Sequence, residues 1–208
     1  MVLAPGYAPL SFTPPEPGSY ALPAMGSAAD GAVIDSDGNS AQLHDFLGGK
    51  PTVLSFIFTT CDDVNGCPLA TYVMRSVQDA LRADPATADK ARLVSFSFDP
   101  VFDTPDVIDA YGSQFRAGDF DWQFLTTEGA TTLDPILNAY GQWVIRDYDE
   151  NGEYMGTMSH ILRVFLIDES RQIRNIYSTS FLHADTVAND VRSLLMEAAA
   201  EPSANTGS

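Results

Sequence analysis

The chain of 208 residues is poor in cysteine, histidine and positive charge, and it lacks a long apolar run. Two cysteines are too few for a disulfide framework. The fold must rest instead on a hydrophobic core, which a chain of this length can bury. The 11 basic residues against 28 acidic ones leave a formal net charge of −17. Phosphate backbones repel such a chain, which excludes a nucleic-acid partner and argues against anionic membrane surfaces. The acidity suits solubility and cationic partners, metal ions among them. No stretch approaches the roughly 18–20 apolar residues of a membrane helix; the strongest run is Val53–Phe58. Met1 is followed by Val-Leu-Ala-Pro-Gly, with neither the basic nor the apolar part of a leader. The chain is therefore expected either to be cytosolic or to be missing a leader or anchor.

Five of the 13 prolines stand at positions 5, 9, 14, 15 and 17, so residues 1–19 read as an extended N-terminal arm. Residues 201–208 read as a disordered tail, which leaves 20–200 as one domain. Ala32–Gly38 has the pattern of a strand ending in a tight turn, and 41–47 that of a short helix stopped by Gly48-Gly49. Thr52–Phe58 is a continuous β-branched and aromatic run, as in a strand buried on both faces. Leu69, Tyr72, Val73, Val77, Ala80 and Leu81 form an apolar stripe at helical spacing behind Pro68. Leu93–Phe98 is a second strand. Thr104-Pro105-Asp106 starts a helix, Trp122–Leu125 is a short strand, and 133–140 a further helix. Ile161–Asp168 and Gln172–Ser178 read as an antiparallel hairpin, followed by a helix over 184–200. Strands alternating with helices, with a late hairpin inserted, predict an α/β fold: a central mixed sheet flanked by helices on the thioredoxin-like plan.

The two cysteines, Cys61 and Cys67, lie six positions apart in the loop Thr59–Gly66 and at its end. That loop joins the buried strand to a helix N-terminus, the usual place for a site in an open α/β sheet. The positive end of the helix dipole favours a thiolate at Cys67, while Asp62 and Asp63 oppose it. Thiolates are nucleophiles and soft ligands. The pair could close a disulfide, or share one ion such as Cu(I) or Zn(II). Of the three histidines, His44 reads as a solvated surface residue and His183 as a helix cap or surface residue. His160, on a loop just ahead of the strand Ile161–Ile167, would complete a three-coordinate soft site. Asp99 ends a strand parallel to the one that leads to Cys61, which would bring it near the cysteine loop. Met155 and Met158 are soft donors that more commonly serve packing.

The run Phe56-Ile57-Phe58-Thr59-Thr60-Cys61, Cys67-Pro68, the segment Val94–Pro100 with Asp103-Thr104-Pro105, Tyr111–Phe115, Trp122–Thr126, and Ser159-His160 ahead of Phe165–Asp168 come in the order seen in one family. Over residues 30–197 the chain resembles the SCO (SenC) family of thioredoxin-like copper chaperones for cytochrome c oxidase assembly. The resemblance implies that Cys61, Cys67 and His160 match copper ligands and that Asp99 matches the acidic residue beside them. It implies copper, Cu(I) or Cu(II), as the bound metal and a copper-acceptor protein, such as an oxidase subunit, as the partner. It also implies a periplasmic or membrane-anchored location, facing an oxidising compartment, with the leader or anchor missing from this chain.

One feature departs from the family pattern. Three residues usually separate the cysteines, whereas five do here. A longer loop loosens ligand geometry and can shift the balance from holding copper to thiol–disulfide exchange. Asp62 and Asp63 are hard ligands, suited at most to completing a Cu(II) sphere. Three functions follow. The first is a copper carrier using Cys61, Cys67 and His160. The second is a thiol–disulfide reductase using Cys61 and Cys67, acting on the cysteines of a copper-site partner. The third is a chain that keeps the fold without the chemistry. A peroxiredoxin is disfavoured because Phe58 stands where its motif has threonine, and a C-x-x-C oxidoreductase does not fit the spacing.

Overall fold

The computed structural model describes residues 2–200, so the expected disordered tail 201–208 lies outside the described residues. In chain order the elements are β1 (Gly26–Ser27), β2 (Ala32–Asp35), β3 (Ser40–Gln42), α1 (Leu43–Phe46), β4 (Thr52–Ile57), α2 (Cys67–Arg82), β5 (Arg92–Ser97), α3 (Pro105–Gly112), β6 (Trp122–Thr126), α4 (Ala130–Ala139), β7 (Val144–Tyr148), β8 (Tyr154–His160), β9 (Arg163–Ile167), β10 (Gln172–Ser178) and α5 (Ala184–Ala200). One sheet has the order β1-β10-β9-β4-β5-β6-β2-β3, and β7 pairs with β8 in a separate two-stranded ribbon. The strands β4, β5 and β6 are parallel neighbours, while β9 joins β4 antiparallel. This is the thioredoxin-like mixed sheet with helices on both faces.

The three parallel strands sit mid-sheet because their sequences are apolar on both sides. All six residues of β4 are buried. Side-chain alternation divides them between two cores: Val53, Leu93, Trp122, Phe124 and Val164 pack under α2 and α5. Leu54, Phe56, Val94, Phe96 and Phe165 pack under α1 and α4. On α2 the stripe Leu69, Ala70, Val73, Val77 and Leu81 is buried. Tyr72, read as part of that stripe, is instead 47% exposed, and its ring packs on Tyr7 with centroids 5.0 Å apart.

The proline-rich arm lies across α2 and α5. It makes a 3₁₀ turn at Pro5–Tyr7 that buries Gly6. A side chain at Gly6 would press against the backbone carbonyl of Leu182. Further along, the Gly18 N–H donates to Ser193 Oγ at 3.0 Å and Asn189 reaches the Pro15 carbonyl at 3.2 Å. His183 serves as the cap of α5, its Nδ1 accepting from the Asp185 N–H at 3.2 Å, while Nε2 contacts the Ala8 carbonyl at 2.7 Å. Nearby, Asp190 is buried and satisfied by the hydroxyls of Tyr20 and Tyr177, both at 2.6 Å, and by Asn175. His44 is not free in solvent: its Nε2 lies 2.9 Å from the Ala28 carbonyl and its Nδ1 lies 3.5 Å from Asp30.

The ribbon β7–β8 differs from expectation. Gly156-Thr157-Met158-Ser159 reads as a loop because its alternation is polar and weak, but these residues lie in β8, where Met158 and Ser159 stand opposite Arg146 and Ile145 of β7, and Val144 stands opposite His160. His160 therefore ends a strand. Among the described residues, no helix is long and apolar enough to cross a membrane.

Candidate metal centre

The loop that follows β4 begins on a buried anchor. The Asp103 carboxylate, fully buried, accepts from the Thr59 N–H at 3.0 Å, from the Thr59 hydroxyl, and from Ser97 Oγ at 2.5 Å. Burial raises its pKa, and the charge of Asp99 adds to the rise. Asp103 thus ties the end of β4 to the end of β5, directly under the residues that lead to Cys61. In the sequence Asp103 enters only among the residues that carry the family resemblance, with no role assigned to it. Two short hydroxyl residues, Ser97 and Thr59, at the ends of adjacent parallel strands were the available signal for a buried acceptor.

The loop then turns twice. The Cys61 N–H returns to the Phe58 carbonyl at 3.3 Å, and the Gly66 N–H to the Asp63 carbonyl at 2.8 Å. The second turn delivers Cys67 to the first position of α2. Its side chain is only 1% exposed, while Cys61 is half-buried. Both thiols are free.

Three soft donors converge here. The ligand atoms of Cys61, Cys67 and His160 all lie within 4.8 Å of one another, and Cys67 Sγ stands 3.5 Å from His160 Nε2. An ion held at about 2.0–2.3 Å by nitrogen and sulfur donors needs ligand separations of this order, so two thiols and an imidazole fit a soft ion. Aromatic walls hold the His160 ring, with Phe98 at 4.8 Å and Phe58 at 6.2 Å between centroids. Its buried Nδ1 has no hydrogen-bond partner among the described residues, so stacking sets the ring's orientation in place of the carboxylate or carbonyl that usually orients a ligating histidine.

The two thiols are electrostatically unequal. The Cys67 thiol donates to Cys61, which with help from His160 and the backbone amides of Cys67 and Asp63 lowers the Cys61 pKa to about 5, against the opposing effect of burial. Burial raises Cys67 well above the ordinary thiol value, and the neighbouring Cys61 raises it further. At neutral pH the pair is one thiolate and one thiol sharing a proton.

The other predicted residues stand around this triad. Among the described residues, the group able to share an ion does not include Asp62, Asp63 or Asp99. Asp62 and Asp63 are exposed on the loop, and Asp63 Oδ1 accepts from the Asn65 N–H at 3.0 Å. Asp99 is nearly buried and lines a cavity of 620 Å³ with Thr60, Phe102 and Arg146. Met158 is buried in the core beneath α4, and Met155 is exposed. A cleft of 330 Å³ opens beside the thiols, lined by Cys61, Cys67, Tyr72, Arg75, Tyr111 and Phe115.

Comparison with known proteins agrees with this architecture. The fold superimposes on Arabidopsis thaliana ScoI, a structure with copper bound, with a TM-score of 0.69 at 20% identity, covering 84% of this chain and 99% of that one. It superimposes equally, at 24% identity and with the same coverage, on a SCO1/SenC family lipoprotein of Bacillus anthracis. The SCO1 protein homolog of Bacillus subtilis strain 168 is 32% identical over 92 residues, 44% of this chain and 45% of that protein. A Stutzerimonas stutzeri protein named for copper binding is 30% identical over 129 residues, 62% of this chain and 58% of that protein. The chain thus aligns with about half the length of the curated relatives it matches. The SCO1/SenC family model matches residues 29–196, most of the chain, and the protein belongs to the SCO1/SenC family.

Proposed function

We propose that this chain is a copper carrier that holds the ion as cargo on Cys61 Sγ, Cys67 Sγ and the His160 imidazole and passes it to a copper enzyme such as cytochrome c oxidase. The convergence of three soft donors within 4.8 Å, brought from the β4–α2 loop and from the end of β8, carries this reading. Thiolate and imidazole donors favour Cu(I), and the same set accommodates Cu(II). Copper-bound relatives on the same fold support the choice of metal. Asp99 shapes the neighbouring cavity, and Asp62 and Asp63 lend negative charge to the rim. The cleft beside the two thiols lets an acceptor's own ligands approach and replace those of the carrier one at a time. The setting that fits is a periplasmic or membrane-anchored one.

Titration of the reduced protein with Cu(I) and Cu(II), repeated on Cys61→Ser, Cys67→Ser and His160→Ala, tests the assignment. Each variant is expected to bind more weakly than the parent chain. If His160→Ala binds as tightly as the parent, the three-donor site is wrong.

The unequal thiols support a second reading as a thiol–disulfide reductase. The Cys61 thiolate attacks a partner disulfide, forming a mixed disulfide and releasing one partner thiolate. Cys67 then gives up its proton and attacks Cys61, freeing the second partner sulfur. The partner gains two electrons and the chain is left with a Cys61–Cys67 disulfide. Reduction of a test disulfide that is lost in Cys61→Ser but kept in His160→Ala is expected of this activity.

A further inference from the structure

The five residues between the cysteines make few bonds among themselves. Within 62–66 the turn is closed by Gly66 N–H to the Asp63 carbonyl and by Asn65 N–H to Asp63 Oδ1. Two further groups of the turn, the Asn65 side chain and the Val64 carbonyl, are bonded from outside it by the N-terminal arm. The Asn65 side-chain amide spans the gap: its Oδ1 accepts from the Ala4 N–H at 2.7 Å and its Nδ2 donates to the Val2 carbonyl at 2.9 Å. One residue earlier, the Val64 carbonyl accepts from the Tyr7 hydroxyl at 2.5 Å.

The arm is itself seated firmly. Gly6 lies flat against Leu69, Val73 and the Leu182 carbonyl, and the Tyr7 ring rests on Tyr72. The His183 ring holds the Ala8 carbonyl. The strap is thus anchored on α2 and at the start of α5, and from there it grips the outer side of the loop. The residues it grips neighbour the Asp63 amide, which hydrogen-bonds Cys61, and precede Cys67 by two and three positions.

We infer that the arm Val2–Ala8 is a strap that sets the geometry of the cysteine loop, with Asn65 and Tyr7 as positioning residues for the Cys61–Cys67 pair. For its metal readout the inference rests on the copper reading. A free loop of this length spends most of its time with the two sulfurs apart, because every unpinned residue retains its backbone freedom. A strapped loop presents them together, so the strap raises copper affinity through preorganisation without touching the ion.

The test uses the full chain with Asn65→Ala, Tyr7→Phe and, as a control, Ser193→Ala, which loosens the arm at Gly18, far from the loop. Tyr7→Phe keeps the ring on Tyr72 and loses only the bond to Val64. Amide hydrogen exchange over 61–66 is measured on the reduced, metal-free protein, and copper dissociation constants by competition with a chelator. Both loop-side variants are expected to speed exchange in 61–66 and to raise the copper dissociation constant about five- to tenfold, the size expected from losing one or two ordinary hydrogen bonds. Ser193→Ala is expected to change neither. Unchanged exchange at 61–66 in both Asn65→Ala and Tyr7→Phe overturns the strap. So do unchanged copper constants in both variants when the parent binds copper. A parent chain that binds no copper overturns the copper reading alone, and the exchange measurement still decides the strap.

Discussion

Replacement of Asp103 separates the two things this buried carboxylate supplies, acceptors and charge. In Asp103→Ala, the Thr59 N–H, the Thr59 hydroxyl and the Ser97 hydroxyl all lose their acceptor in a site closed to solvent. Each unmade bond costs about 1–2 kcal/mol, partly recovered by hydroxyl rotation. The loss therefore comes to about 4 kcal/mol, or roughly 10 °C in Tm for a chain of this size. Asp103→Asn has a way out. With its amide oxygen where Oδ2 stands, it accepts from the Thr59 N–H and Ser97, and its NH₂ donates to Thr59 Oγ1. It also removes the desolvated charge. The carboxyl's folded pKa is raised above 3.8, so between that value and the folded pKa the native state binds more protons than the unfolded one. The stability this group contributes is therefore greatest in acid and is lost as pH rises through the folded pKa. Urea denaturation of the three proteins at pH 4, near the unfolded value, and at pH 7 is the assay. Asp103→Asn is expected to lie within about 1 kcal/mol of the parent and to improve relative to it as pH rises. Copper binding should weaken only in the alanine variant, whose loop has lost its anchor at Thr59. An alanine variant within about 1 kcal/mol of the parent, or an asparagine variant as damaged as the alanine one, refutes the reasoning.

Three further outcomes are expected. With a pKa of about 5, Cys61 should react with iodoacetamide at a nearly constant rate from pH 6.5 to 8.5, where an ordinary thiol speeds up about 50-fold; mass spectrometry should find Cys67 unlabelled, and Cys67→Ala should restore the steep pH profile. Phe98→Ala removes a ring that is 2% exposed and walls His160; denaturation should show a loss of about 3–5 kcal/mol, whereas Phe98→Leu should keep much of the stability and still weaken copper binding by freeing the imidazole. Gly112→Ala places a methyl group 2.6 Å from the buried Phe124 ring, and should cost about 1–3 kcal/mol by calorimetry with copper affinity unchanged.

What the sequence alone determined is whatever depends on neighbours in the chain. The apolar run of β4, the stripe of α2 and the span of α5 are local periodicities, and burial follows from them. That Cys61 and Cys67 share one loop follows from their spacing, and the placement of that loop at a strand–helix junction follows from the patterns on either side. Tertiary structure decided the rest. His160 reaches Cys67 across 93 positions of chain, carried by a β7–β8 ribbon whose polar residues show no strong alternation. Asp103 meets Thr59 only because β4 and β5 run parallel and in register, Ile57 opposite Ser97. Asn65 reads as an ordinary turn residue until the arm arrives from 61 positions away to bond it. Contacts between distant segments leave little trace in local pattern, because neither segment needs the other to form. They arise when burial of the shared core closes the intervening chain, and in this protein that closure assembles the third donor, the anchor and the strap around two thiols that the sequence had already placed on one loop.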